Sequence, residues 1–149
     1  MKTLLLIRHA KSSWENFSVS DKERPLNDRG KKNAPEMAKR LIKKKIPIDA
    51  FLSSPAKRAL TTAEYFAEVY GEKKSRIIVI PELYMAGEEA FTSTIRNAPA
   101  NANSIAIFSH NNGITEFVNR LSHVTIDNMP GDGRFVVRVQ VFQCFMNYT

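Results

Sequence analysis

The chain has 149 residues, 43% hydrophobic and 25% charged, the size and make-up of one folded domain with a proper core, which argues against disorder. Twenty-two Lys and Arg against fifteen Asp and Glu leave a formal charge of +7. That favours anionic partners (phosphorylated small molecules, phosphoproteins, nucleic acid) without choosing among them. One cysteine, Cys144, excludes an internal disulfide, and its apolar neighbours make it an inert core residue. No stretch approaches the roughly 20 apolar residues of a membrane span. The five residues between Lys2 and Arg8 are too few for a signal-peptide core. The expectation is a soluble, cytoplasmic protein folded as one domain over residues 1–149.

Taken in order, Leu4-Leu5-Leu6-Ile7 is too short for a helix and reads as a buried strand, stopping at Arg8-His9. Residues 10–26, with Trp14 and Phe17, have no clean period and form a long loop, a kind usually functional or mobile. Asn27 or Asp28 can cap a helix running to about Lys44, with Ala34, Met37, Ala38, Leu41 and Ile42 on one face. Lys39-Arg40 and Lys43-Lys44-Lys45 are its solvated side. Pro35 predicts a kink or a loosely joined first turn. Ile48–Ser53 is a second strand, and Ser54 as N-cap with Pro55 at the first helical position starts the next helix, ending at Gly71. Ile77–Ile80 is a third strand, residues 88–96 a short helix, Ile105–Phe108 a fourth strand, and Ile114–Leu121 a helix. Residues 122–134 read as loop, and Phe135–Phe145 as a marginal strand compatible with an antiparallel direction. Apolar strands alternating with helices indicate a three-layer α/β/α fold around a mainly parallel sheet.

In such a sheet the carboxyl ends of the strands share one edge, where ligands bind. That edge gathers Arg8 and His9, Arg58 just past the second strand, and His110 after the fourth; the long loop adds Arg24. Guanidinium groups fork onto phosphate oxygens, and a neutral imidazole is a competent nucleophile that neighbouring cations help to keep unprotonated. The helix start near Asn111-Asn112-Gly113 adds backbone donors. A metal site is disfavoured, because carboxylates or thiolates at ligand spacing are missing and the arginines would repel a cation. No Walker loop or dinucleotide fingerprint is present, and nucleic-acid binding lacks an interleaved basic and aromatic strip. His123, with no motif around it, reads as a structural hydrogen-bonder.

Leu5-Leu6-Ile7-Arg8-His9-Ala10-Lys11-Ser12-Ser13-Trp14 resembles the Arg-His-Gly signature of the histidine phosphatase superfamily, the phosphoglycerate mutase-like proteins. Arg24-Pro25-Leu26 with Arg29-Gly30, Ser53-Ser54-Pro55-Ala56-Lys57-Arg58-Ala59 with Thr61-Thr62-Ala63, and Ser109-His110-Asn111 extend the likeness over roughly residues 3–121. Shortness, the Arg-Pro-Leu element and Pro81-Glu82-Leu83 look most like the small SixA-type phosphohistidine phosphatases. The resemblance implies a phosphoglycerate mutase-like fold and no cofactor or metal. It implies His9 as a nucleophile that becomes phosphohistidine, Arg8 and Arg58 on the phosphoryl oxygens, His110 beside them, and Arg24 as the additional arginine of the small members. Larger members protonate the leaving group with a carboxylic acid, for which Glu82 is the nearest candidate by position. The expected partner is a protein carrying phosphohistidine. A phosphatase of small phosphoesters and a phosphate-recognising module without turnover are the alternatives. Ala10 stands where the usual glycine does.

Overall fold

In the computed structural model, residues 2–121 and 138–143 are described. The elements are β1 (Thr3–Arg8), α1 (Asp28–Lys43), β2 (Ala50–Ser53), α2 (Lys57–Val69), β3 (Ile77–Val79), α3 (Glu88–Arg96), β4 (Ser104–Ser109), α4 (Gly113–Leu121) and β5 (Arg138–Gln143). Short 3-10 turns lie at Asp21–Glu23, Lys74–Arg76 and Pro81–Leu83. The predicted loop 122–134, His123 and Cys144 fall outside the described residues.

The five strands form one sheet in the order β3-β2-β4-β1-β5. Every pairing is parallel, including β1 with β5, which pairs Thr3 with Arg138 and Arg8 with Gln143. The antiparallel direction considered for the last strand is therefore corrected: it lies at the sheet margin, as its position suggested, and runs with the others. A connection that carries a helix returns the chain to the same end of the sheet, and α4 lies on the way to β5.

Alternate residues of β1, β2 and β4 feed two cores. Leu5, Ile7, Phe51, Ala106 and Phe108 pack with Ala34, Ala38 and Leu41 of α1 and Ala63, Phe66 and Ala67 of α2. Leu4, Leu6, Leu52, Ile105 and Ile107 pack with Phe91 and Ile95 of α3 and Ile114 and Phe117 of α4. Burial on both faces is why the strands read as apolar runs. It also puts α1 and α4 on opposite faces. The chain leaving β1 turns to one side, the chain leaving the adjacent β4 to the other, and a crevice opens between them at the switch point of the sheet.

Two local expectations need correction. The structure shows α1 as one unbroken helix through Pro35, capped by Asn27, whose side chain accepts from the Gly30 N–H at 2.8 Å. Proline deprives the Lys31 carbonyl of a donor, but Lys31 is exposed, where water can replace it. Second, α2 begins at Lys57 with Ala56 as its cap, not at Ser54. The Ser54 N–H still bonds to the Phe108 carbonyl at 2.9 Å, so the backbone follows the sheet past the end of β2 and turns later.

The loop 10–26 is pinned at its base. Ser12 and Leu26 form an antiparallel bridge, the Ser13 N–H donates to Pro25, and the Asn27 N–H donates to Lys11. Gly30 makes this possible: a Cβ there would lie 2.2 Å from the Lys11 carbonyl oxygen, so only glycine lets α1 approach the segment that follows His9.

Candidate active site

The register sets out the site before any side chain is considered. Arg8 at the end of β1 lies beside Ser109 at the end of β4, and Ser53 of β2 beside Phe108. The His9 N–H donates to the Ser109 carbonyl at 3.0 Å, extending the ladder by one residue. His9 and His110, distant in sequence, thus follow adjacent strand ends with ring centroids 5.2 Å apart. Arg58, in the first turn of α2, is 5% exposed, with its guanidinium Nε 3.3 Å from His9 Nε2.

The two imidazoles are held differently. His9 Nδ1 lies 2.7 Å from the carbonyl oxygen of Ala10, and only a protonated Nδ1 can bond there, so the lone pair sits on Nε2, facing Arg58. Ala10 is in turn fixed by its N–H donating to Thr62 Oγ1 at 3.0 Å, and Thr62 donates to the Arg58 carbonyl. Ala10 has no positive φ, which is why the usual glycine is dispensable. His110 Nε2 meets Ser54 Oγ at 2.8 Å, while its buried Nδ1 has no hydrogen-bond partner among the described residues.

Burial is the main cause of both titration shifts. It pushes His9 down to about 4, with Arg58, Arg8 and Arg24 adding repulsion against the opposing bond to Ala10. It pushes His110 down to about 3, helped by Arg58 and His9. Both rings are neutral near pH 7. A neutral Nε2 among guanidinium groups can attack phosphorus.

Arg24 is buried too. It bonds to Ser12 Oγ and to Asp21 Oδ1, the latter at 3.0 Å, and stacks its guanidinium 3.6 Å from the centre of the Trp14 ring. The structure thus joins His9, Arg58 and His110 directly and Arg24 to Arg58 through Asp21, while Arg8 acts on His9 through its charge. Glu82 does not join them by any described contact. Its 3-10 turn buries Leu83, whose carbonyl accepts from Ser109 Oγ at 2.9 Å, and leaves Glu82 exposed. There it lines a cleft of about 760 Å³ between the β3 edge and α3.

Two residues not singled out in the sequence belong to the cluster. Asp21 accepts from Arg24, from Arg58 Nη2 at 3.0 Å and from the Tyr84 hydroxyl at 2.8 Å; its backbone carbonyl accepts from Arg58 Nη1. These donors outweigh partial burial and hold its carboxyl at about 2. Tyr84 sets its ring edge-on to His110 at 5.8 Å. The available clue to Asp21 was its place three residues before Arg24 in a long loop; nothing local marked Tyr84.

A part-buried imidazole with its second nitrogen tied down, beside arginines at the switch point of a parallel sheet, defines a phosphoryl-binding α/β protein. The family model of the histidine phosphatase superfamily (branch 1) matches residues 4–84, and the chain belongs to that superfamily. It is similar to the putative phosphohistidine phosphatase SixA from Agrobacterium tumefaciens, with 28% identity, a TM-score of 0.67, and coverage of 79% of this chain and 73% of that one. The protein histidine phosphatase SixA complexed with tungstate superposes with a TM-score of 0.69 at 25% identity, over 78% and 75% of the two chains. An uncharacterised chloroplastic protein of Arabidopsis thaliana is 29% identical over 133 residues, covering 84% of this chain. A probable phosphatase of Schizosaccharomyces pombe is 36% identical over 93 residues, covering 60% of this chain. The chain spans 61% and 43% of the length of these two curated relatives.

Proposed function

We propose that this chain is a phosphatase in which His9 takes the phosphoryl group, and that its substrate is phosphohistidine in a protein. The observation that carries the reading is the pose of His9: Nδ1 is committed to the Ala10 carbonyl, and Nε2 points at a buried guanidinium. Phosphoryl transfer asks for in-line positioning and neutralisation of spreading negative charge. Arg8, Arg24 and Arg58 are the cations assigned to that task, with His110 alongside. In the first step the His9 Nε2–P bond forms as the bond from phosphorus to the leaving group breaks. Water then attacks phosphorus, releasing inorganic phosphate and neutral His9. The reading treats residues 1–149 as one catalytic domain, and a cytoplasmic location, suggested by the lone cysteine, belongs to the same proposal.

Support for a protein-borne phosphate comes from the rim. Only residues 70–76 join α2 to β3, leaving no room there for a covering insertion. Trp14, packed on Arg24, is 65% exposed. A large exposed aromatic side chain resting on a pocket arginine suits a macromolecular partner better than a sugar phosphate. The likeness to a putative phosphohistidine phosphatase and to a protein histidine phosphatase supports the same reading.

Labelled phosphoramidate tests the chemistry. Wild type is expected to form an acid-labile, alkali-stable phosphoenzyme that His9→Ala cannot form. Phosphate binding without a trapped phosphoenzyme would identify a recognition module instead. Turnover of a phosphohistidine protein against p-nitrophenyl phosphate then separates a phosphohistidine enzyme from a general phosphoesterase.

A further inference from the structure

We propose that Asp21 makes the site selective for phosphoryl groups carried on an imidazole, by pairing its carboxylate with the protonated ring of the leaving group. This rests on the phosphatase reading above and adds the source of its preference for nitrogen over oxygen.

An ionised carboxylate is out of place in a pocket for an anion, since like charge repels an incoming phosphoryl group. Yet Asp21 is built in. Arg24, Arg58 and Tyr84, from the loop, α2 and the segment after Pro81–Leu83, all direct a donor at its two oxygens. Its position gives it a use. The Arg58 guanidinium touches His9 Nε2 with its Nε and Asp21 with its two terminal nitrogens. The carboxylate is therefore one guanidinium away from the attacking nitrogen. It is also on the outer side, because the Asp21 side chain is 48% exposed and that of Arg58 only 7%. In-line transfer puts the leaving group across phosphorus from the nucleophile, which is outward, toward Asp21.

Phosphohistidine has a feature that a phosphoester lacks. Its phosphoryl group sits on one ring nitrogen, and the other can carry a proton. With that proton in place the P–N bond breaks with its electron pair on the leaving nitrogen, the proton stays where it was, and neutral imidazole departs. No acid has to deliver a proton to the leaving atom. A carboxylate nearby favours the protonated ring and so the reactive form. An aryl phosphate leaves as an oxyanion that the same carboxylate repels. The charge on Asp21 thus acts with opposite sign on the two substrates. The other groups facing it are Arg24, Lys22 (whose Nζ lies 5.9 Å from the centre of the Tyr84 ring), Arg58, Tyr84, and the neutral His9 and His110. Near neutral pH the group left to titrate is the substrate ring.

The test compares N-phosphoimidazole with p-nitrophenyl phosphate on the full chain. Asp21→Asn is expected to lower kcat/KM for phosphoimidazole roughly tenfold and move the alkaline limb of its pH profile down by about one unit. Activity on p-nitrophenyl phosphate should fall by a clearly smaller factor, so that the ratio of the two kcat/KM values drops and the alkaline limb for the ester stays in place. Asp21→Glu, which keeps the charge, should keep the nitrogen preference. Equal losses on both substrates with an unmoved pH limb would show that Asp21 only props the arginines, and would overturn the proposal. So would an Asp21→Glu variant that behaves like Asp21→Asn. Phosphoenzyme trapping in wild type runs alongside: its absence would sink the phosphatase reading itself, whereas its presence with equal losses sinks only this inference.

Discussion

Two regions border the carboxyl side of the sheet, and they differ in almost everything that chemistry requires. At the ends of β1, β2 and β4, His9, Arg58, His110 and Asp21 are knitted together by side-chain bonds and ring contacts. Beyond β3 lies the cleft with half-exposed Ile78 and Val79 and the solvent-facing Glu82. Strands β1, β2 and β4 have neighbours on both sides, whereas β3 pairs only with β2 among the described residues. A loop that follows a central strand is surrounded by other loops; one that follows an edge strand faces water on its outer side. Glu82 and Tyr84 show how sharp the boundary is. They are two residues apart, yet Tyr84 reaches Asp21 and His110 while Glu82 faces the cleft.

Substitutions at the two regions should therefore separate widely. His9→Ala is expected to lose turnover by several orders of magnitude, with phosphoenzyme trapping as the readout, because it removes the proposed nucleophile and with it the whole catalytic unit. Arg58→Ala should cost roughly 10³-fold or more in kcat/KM, the scale of a guanidinium that neutralises a transferring phosphoryl group, and should weaken tungstate binding in parallel.

The pH dependence sharpens the comparison further. In the proposed mechanism attack needs neutral His9, so the acid limb of phosphoenzyme formation should lie near pH 4, not near the ordinary imidazole value of 6.5, and NMR titration of the ring should report the same midpoint. Stability follows by linkage. His9 and His110 are depressed in the fold, so the unfolded chain takes up protons first as pH drops below about 6.5. Their contribution is intact above that value and is lost as pH falls toward 4 and 3. Asp21, depressed from 3.8 to about 2, contributes above pH 3.8 and loses its contribution toward 2. Both effects have the same sign, so the melting temperature should fall steadily below pH 6.5, and less steeply between 6.5 and 4 in His9→Ala.

Smaller effects are expected from packing and from the cleft. Gly30→Ala forces Lys11 away from α1 and should cost about 1–3 kcal/mol by urea unfolding, with some loss of activity as the segment after His9 shifts. Glu82→Gln should leave phosphoester turnover within about twofold. A loss approaching the roughly 10²-fold of a positioned general acid would instead bring the cleft into the mechanism.

Much of this was legible in the sequence because it is local. Apolar runs of four to six residues specify buried parallel strands, and the 3.6-residue stripes of α1 and α2 follow from one-sided burial. Residues just past strand ends fall on one edge in any such sheet, so Arg8, His9, Arg58 and His110 could be assembled without coordinates. Where the chain had to be compared with distant parts of itself, the sequence was silent or misleading. Ser54 looked like a helix cap and instead stays with the sheet and meets His110. Pro35 predicted a kink or a loosely joined first turn, and α1 runs continuously from Asp28 through it.

What the sequence determined by itself is the kind of fold and the positive half of the site, because strand ends and arginine-histidine pairs are readable one segment at a time. What only the tertiary structure decided is the negative half. Glu82 and Asp21 are both carboxylates in turns, and the one local hint, Arg24 three residues after Asp21, does not say which of them will stand beside the histidines. That depends on the base of the 10–26 loop being closed by Ser12 and Leu26, and on Arg58 reaching across from α2 to meet Asp21. Contacts between segments so far apart in the chain have no local signature, so only the folded arrangement distinguishes the two.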